Sequence, residues 1–210
     1  LFRRREYRLW VTQAYTNKHW AVQLHEQLRI LNCRHRARHH NIGELKAPTF
    51  VVTTETTLFV VDPALKRLQL YSSLEEWTKQ VKLPANCVAT GVATDKKHMF
   101  LCDSHNRRVY KFDRVGAICG AFRLEDDLKW VPIDCVYSRG CLIVLDDVGA
   151  LYHFNLHGDL LRKDPPRVGH THGSLAVHEA TQQIWCHSNI EILKYEWQHR
   201  LQFETKRKKK

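Results

Sequence analysis

The chain has 210 residues, 43% of them hydrophobic and 10% aromatic, with 33 Lys/Arg against 22 Asp/Glu for a net charge of +11. That is enough chain for one sizeable core and too apolar for a disordered polymer, and it contains no apolar run long enough to cross a bilayer as a helix. Seven cysteines, odd in number and without a CxxC pair, argue against a disulfide framework; thiols used as small hydrophobes in a reducing compartment fit better.

The charge is concentrated at the termini. Residues 1–46 carry ten Lys/Arg and three Glu, residues 206–210 read KRKKK, and the stretch 47–204 is near neutral with 18 basic and 19 acidic residues. These shifts divide the chain into a basic N-terminal arm (1–46), a body (47–204) and a basic C-terminal tail (205–210). A neutral body counts against a strongly basic face on it, whereas basic arms on such a body suit a polyanion.

In the arm, residues 17–40 lack Gly and Pro, and Asn17 can serve as an N-cap. Trp20, Leu24, Leu28 and Leu31 recur at i, i+4, i+8 and i+11, which predicts an α-helix with one apolar stripe. Lys18, His25, Arg29 and Arg36 form a second stripe, so one side can dock on protein and the other meet phosphate. A solvated polar face is the commoner role for such a stripe; the flanking RRREYR and RHRARHH shift the balance towards phosphate. Eight of the ten cations in the arm are Arg, whose planar fork pairs with phosphate and stacks on bases. The candidate RNA contacts are therefore Arg3, Arg4, Arg5, Arg8, Lys18, Arg29, Arg34, Arg36 and Arg38, with Lys206, Arg207, Lys208, Lys209 and Lys210 in the tail. No RNA-recognition motif, KH loop or zinc knuckle is present, so such contacts would read shape and backbone rather than sequence.

The body repeats. An apolar run ending in Asp occurs as LFVVD at Asp62, MFLCD at Asp103 and CLIVLD at Asp146, and QIWCH places His187 fourth, at intervals of 41, 43 and 41 residues. Each run is preceded by a strand candidate (49–54, 89–95, 132–138, 173–179) and followed by one ending in an aromatic (67–71, 108–112, 150–154, 191–195); ICGAF and DLLRK add another in the better copies. A period near 42 with three or four short strands marks β-propeller blades, because a single small sheet cannot bury both of its faces. The fold class expected is an all-β propeller-like repeat array of about four blades, closed or open, with an N-terminal α-helical basic arm.

The second copy, GVATDKKHMFLCDSHNRRVYKFDRVG, resembles an NHL repeat through Gly91, Val92, Ala93, Asp95, Asp103, Ser104, Asn106, Arg108, Val109, Phe112, Asp113 and Gly116. The third keeps Asp146 and NLHG but lacks the Asn-x-Arg turn. The resemblance implies a β-propeller and, by family analogy, a protein- or RNA-recognition surface like that of tripartite-motif ubiquitin ligases. Amidating lyases also resemble this repeat, but they imply a metal and a secretory setting that the cysteine usage does not suit.

Catalytic signals are weak. The recurring Asp62, Asp103 and Asp146 suit turn capping far better than catalysis. His35 and His39 sit four apart beside His40, and His170 and His172 share a Gly-flanked loop, but neither set has a carboxylate or Cys at ligand spacing. No P-loop, dinucleotide fingerprint or G-x-S-x-G occurs, so no cofactor and no metal are expected. The sole methionine, Met99, suits either a processed chain or one cut from a longer protein. Together these features lead us to expect a non-enzymatic scaffold subunit of a large ribonucleoprotein, such as a mitochondrial ribosome or its assembly machinery, in the mitochondrial matrix. Its basic termini would contact rRNA or another structured RNA, while the propeller and the Trp20/Leu24/Leu28/Leu31 stripe would contact proteins. The alternative is an NHL-type recognition module of a larger regulatory protein in nucleus or cytoplasm.

Overall fold

The computed structural model describes residues 7–13, 18–24, 28–33, 46–72, 77–124, 129–166, 173–178, 183–188 and 192–196. They form five antiparallel sheets taken in chain order, each a simple up-and-down meander. The first holds β1 (Tyr7–Gln13), β2 (Lys18–Leu24) and β3 (Leu28–Cys33); the second holds β4 (Phe50–Thr53), β5 (Thr57–Asp62), β6 (Arg67–Ser72) and β7 (Trp77–Lys82). The third is β8 (Ala89–Thr94), β9 (Met99–Asp103), β10 (Arg108–Phe112) and β11 (Ile118–Phe122). The fourth is β12 (Pro132–Ser138), β13 (Cys141–Asp146), β14 (Leu151–Phe154) and β15 (Leu160–Asp164), and the fifth is β16 (Gly173–His178), β17 (Gln183–Ser188) and β18 (Ile192–Glu196). The leading strands lie side by side, β1 by β4, β4 by β8, β8 by β12 and β12 by β16. This is the blade arrangement of a β-propeller.

The arm departs from expectation. The predicted helix over 17–40 is replaced across its described residues by β2 and β3, and β1 precedes them, so the first sheet is a fifth blade-like unit where a helical arm was expected. The ambiguity is physical. Trp20, Leu24 and Leu28 are separated by four residues, a spacing that satisfies the helical period and is also a multiple of the strand period of two. In HWAVQL the large apolar residues Trp20, Val22 and Leu24 recur at every second position, which is the strand signal, and β2 pairs with both neighbours along its length.

The central strands explain the apolar runs. β9 sends Met99 and Leu101 into a core shared with Phe59, Val61, Leu68 and Leu70 of the sheet before it, and Phe100 and Cys102 into one shared with Leu142, Val144, Tyr152 and Phe154 of the sheet after it. β13 divides likewise, with Ile143 and Leu145 packing towards Leu175, Ile184 and Cys186. A strand buried on both faces cannot alternate with polar residues, which is why these segments read as uninterrupted hydrophobic runs. β5 also buries Leu58 and Val60 on the face turned away from β9, the side on which the first sheet adjoins.

The same packing corrects the repeat marker of the last sheet. Ile184 and Cys186 of β17 take the places of Leu142 and Val144, and Ser188 pairs with Gly173 as Asp146 pairs with Pro132. The position equivalent to Asp146 is therefore Ser188, one residue beyond His187.

Two local features hold neighbouring sheets close. A Cβ on Gly91 would lie 2.4 Å from Asp134 Oδ1 and 2.6 Å from its Cα, so β8 and β12 approach to a distance that only glycine permits. Asp134 then reaches the next sheet, accepting from Leu175 N–H at 2.8 Å and Ser174 Oγ–H at 2.9 Å. In the fourth sheet His153, buried on β14, faces Asp164 across the ladder at 3.1 Å, and Arg162 Nε donates to the same carboxylate at 2.6 Å.

Two outcomes follow from this packing. Gly91→Ala is expected to lower stability by roughly 1–3 kcal/mol, the usual cost of overpacking, read as a lower urea midpoint with unchanged m-value; an unshifted midpoint would show that β8 and β12 have slack. Burial holds the His153 imidazole below its ordinary value of 6.5, with Arg162 reinforcing and Asp164 opposing the shift. Between the lowered value and 6.5 the unfolded chain binds more protons than the folded one, so this contribution is present above 6.5 and lost as pH falls through that window. Unfolding free energies at pH 7.5 and 5.5 should therefore converge between wild type and His153→Gln on acidification; parallel curves would disprove the linkage.

Candidate functional site

The recurring aspartates are built into the backbone. Asp62 accepts from Lys46 N–H at 2.6 Å, Ala47 N–H at 3.2 Å and Leu65 N–H at 3.3 Å. Asp103 accepts from Val88 N–H and Asn106 N–H, both at 3.1 Å, and from the Asn106 side-chain amide at 2.7 Å. Asp146 accepts from Val148 N–H at 3.1 Å and Ala150 N–H at 2.7 Å. All three carboxylates are buried, and each cinches the turn after the second strand of its sheet. In the first two cases the same carboxylate also ties down the segment entering the sheet. These are the capping roles expected of Asp at strand ends. Burial raises the Asp146 carboxyl above its ordinary value, with the Ala150 N–H working against it. Burial also pushes the Cys87 thiol up to about 12, the Asp103 carboxylate adding to the effect, which leaves that thiol a poor nucleophile at neutral pH.

With the carboxylates assigned, the surface charge can be placed. The antiparallel registers put Asp62, Arg67 and Lys82 at one end of the second sheet and Asp103 and Arg108 at the same end of the third. The ends are in common because the turns at the opposite end are joined, Glu55 N–H to the Lys96 carbonyl at 3.0 Å and Thr57 Oγ–H to the Arg114 carbonyl at 3.1 Å. The end bearing the aspartate turns and the sheet-to-sheet connections carries Lys46, Lys66, Arg67, Lys82, Arg107, Arg108, Arg123 and Lys129. Six of these are exposed, and Arg67 and Arg108 are half-buried. Its exposed or half-buried described acids are Asp134, Asp147 and Asp164, the first bonded to Ser174 and Leu175 of the next sheet. Glu125, Asp126 and Asp127 of one connection lie outside the described residues. The opposite end is balanced, with Lys96, Lys97, Arg114 and Arg139 set against Glu55, Asp95, Asp113 and Asp159.

Among the described residues, seven of the eight cations at the turn end belong to the near-neutral stretch 47–204 and gather at that one end of its sheets, an asymmetry that the sum does not show. Among the described carboxylates at that end, Asp62, Asp103 and Asp146 are buried in turns and Asp134 is bonded to the next sheet, which leaves Asp147 and Asp164. Position on the register, invisible in the sequence alone, is what assembles Lys66, Arg67, Arg107 and Arg108.

Of the sequence-derived candidates, Arg3, Arg4, Arg5, Arg34, Arg36, Arg38 and Lys206, Arg207, Lys208, Lys209 and Lys210 lie outside the described residues, as do His35, His39, His40, His170 and His172. Arg8, Lys18 and Arg29 fall on strands. Arg8 and Arg29 flank Gln23 in one cross-strand row, while Lys18 pairs with Gln13 at the far end of β2. Among the described residues no three His, Cys, Asp or Glu side chains are grouped to hold a metal ion. Cys87, Cys102, Cys119, Cys135, Cys141 and Cys186 are free thiols, with Cys102, Cys135, Cys141 and Cys186 buried.

No protein-family model matches the chain, and no curated protein matches its sequence. Solved structures do match its fold. Virginiamycin B lyase from Staphylococcus aureus superposes with a TM-score of 0.62 at 11% identity over 92% of this chain and 67% of the lyase. A functionally unknown protein from Desulfotomaculum acetoxidans gives 0.67 at 13% identity over 90% of this chain and 62% of its own. Raptor from Chaetomium thermophilum gives 0.65 at 10% identity, with 86% of this chain covering 18% of Raptor. The chain thus spans about two thirds of the length of the first two, and at these identities the likeness establishes the β-propeller fold alone.

Proposed function

We propose that this chain is a non-enzymatic, RNA-binding β-propeller subunit of a ribonucleoprotein. The observation that carries the reading is the segregation of charge between the two ends of the sheets. Eight Lys/Arg gather where the turns and connections lie, and two carboxylates of the same turns, Asp62 and Asp103, are occupied by backbone N–H groups. A surface on which the described cations outnumber the exposed or half-buried carboxylates favours a polyanion through counterion release. The Arg-rich segment before β1 and the KRKKK tail would extend the same attraction.

An assembly in the mitochondrial matrix, such as a ribosome or its assembly machinery, suits the basic termini and free thiols. The second reading is an NHL-type recognition module of a larger regulatory protein. The basic turn face favours it more than the neutral sum over the body did, and it shares the same ligand chemistry.

The test is binding of the full chain to a structured RNA hairpin across a salt series. Log affinity is expected to fall steeply with log salt, by a little under one unit for each phosphate contact on duplex, and Lys82→Gln with Arg123→Gln should flatten the slope. Absence of binding near 50 mM salt, or a slope close to zero, would remove the RNA reading.

A further inference from the structure

We propose that the turns after β5 and β9 form a two-step phosphate clamp, in which Lys66–Arg67 and Arg107–Arg108 grip nearby phosphates of one RNA strand. The inference rests on the RNA reading above and specifies its site.

The two turns are versions of one device. Each begins at a buried aspartate, runs four residues and ends in two consecutive cations at the start of the next strand. In each, the first cation takes a left-handed backbone, φ 51° at Lys66 and 54° at Arg107, which glycine would adopt more cheaply. The left-handed backbone alone does not single them out, because Lys96 and Arg139 adopt it at the opposite end. What singles them out is the recurrence of a cation pair in adjacent sheets at the same place. Among the described residues, no carboxylate pairs with the side chain of Lys66 or Arg107. The second cation of each pair is held in position: Arg67 Nη1 donates to Gln80 Oε1, and Arg108 Nε donates to the Asn106 carbonyl at 3.1 Å while its guanidinium lies 5.9 Å from the Tyr110 ring centroid.

One short segment joins the turns. The Lys66 carbonyl accepts from Leu83 N–H at 3.0 Å, and the Ala85 carbonyl accepts from the Asn106 side-chain amide at 2.9 Å. Three extended residues reach about 10 Å, so the turns stand within about 16 Å of each other. That is within the span of a few consecutive nucleotides of one strand. The series stops at the next sheet, whose shorter turn offers Asp147, exposed Val148 and Gly149. The contact is to the sugar-phosphate backbone, so it positions the strand without reading bases.

The experiment compares two double variants with equal loss of charge and the same backbone change. Lys66→Gly with Arg107→Gly removes the first cation of each step of the clamp, and Lys96→Gly with Arg139→Gly removes the left-handed cations at the opposite end. Salt-dependent anisotropy with an RNA hairpin should show the slope of the first variant reduced by about two, one for each phosphate contact removed, and that of the second unchanged. Thermal midpoints at or above wild type in both would show that folding is intact. If wild type binds and the clamp variant keeps its full slope, the clamp is wrong and the RNA reading survives. Equal reductions in both variants would reduce the effect to bulk charge and overturn the clamp. If wild type binds no RNA, both ideas fall, and polyglutamate binding that depends on Lys66 and Arg107 would then assign the turns to an acidic protein.

Discussion

The structure depends on a carboxylate that is spent on backbone. At Asp62 and Asp103 a single side chain satisfies N–H groups from the turn it begins and from the segment that delivers the sheet's first strand. An unpaired buried N–H costs on the order of 1–3 kcal/mol, so three such bonds to one buried carboxylate fix where the strand must enter. The sheets can then pack face to face through large side chains such as Phe100, Tyr152 and Phe154, and the turns emerge at one common end. The basic face follows from that order, because the pinned turns carry cations while the acid that pins them has withdrawn from the surface.

This is why a segment's net charge misled where its residue pattern did not. A charge count gives a buried carboxylate the same weight as an exposed one, yet Asp62, Asp103 and Asp146 contribute their oxygens to N–H groups inside the fold. Once they are subtracted and the remaining described charges are sorted by sheet end, the near-neutral body shows an excess of cations on the side of the connections. Likeness to propellers as different as a lyase and Raptor agrees with the view that the scaffold leaves chemistry to its loops.

Much of the scaffold was legible because strands buried on both faces cannot disguise themselves. β5, β9 and β13 announce their ends with Asp, and their partners were found by distance from those markers. β7 escaped notice because WTKQVK is an exposed outer strand that mixes Trp and Val with Lys and Gln, leaving no apolar run to see. The first sheet escaped because a four-residue spacing satisfies two periods at once. The last marker slipped by one because no Asp closes β17, and only the packing of Ile184 and Cys186 sets its phase. The candidate site was less legible than the fold: its cations are scattered from Lys46 to Lys129 and meet only through the ladder registers.

The seam between the third and fourth sheets has a further consequence. Cys102 and Cys135 come from different sheets yet meet thiol to thiol inside the same core, where burial holds Cys102 well above its ordinary value. Neither can react with an alkylating reagent while the sheets stay together. The pair is therefore a native chemical clock: its modification rate reports how often neighbouring blades part, and the exposed Cys119 gives the comparison of a thiol that solvent reaches without any parting of the blades.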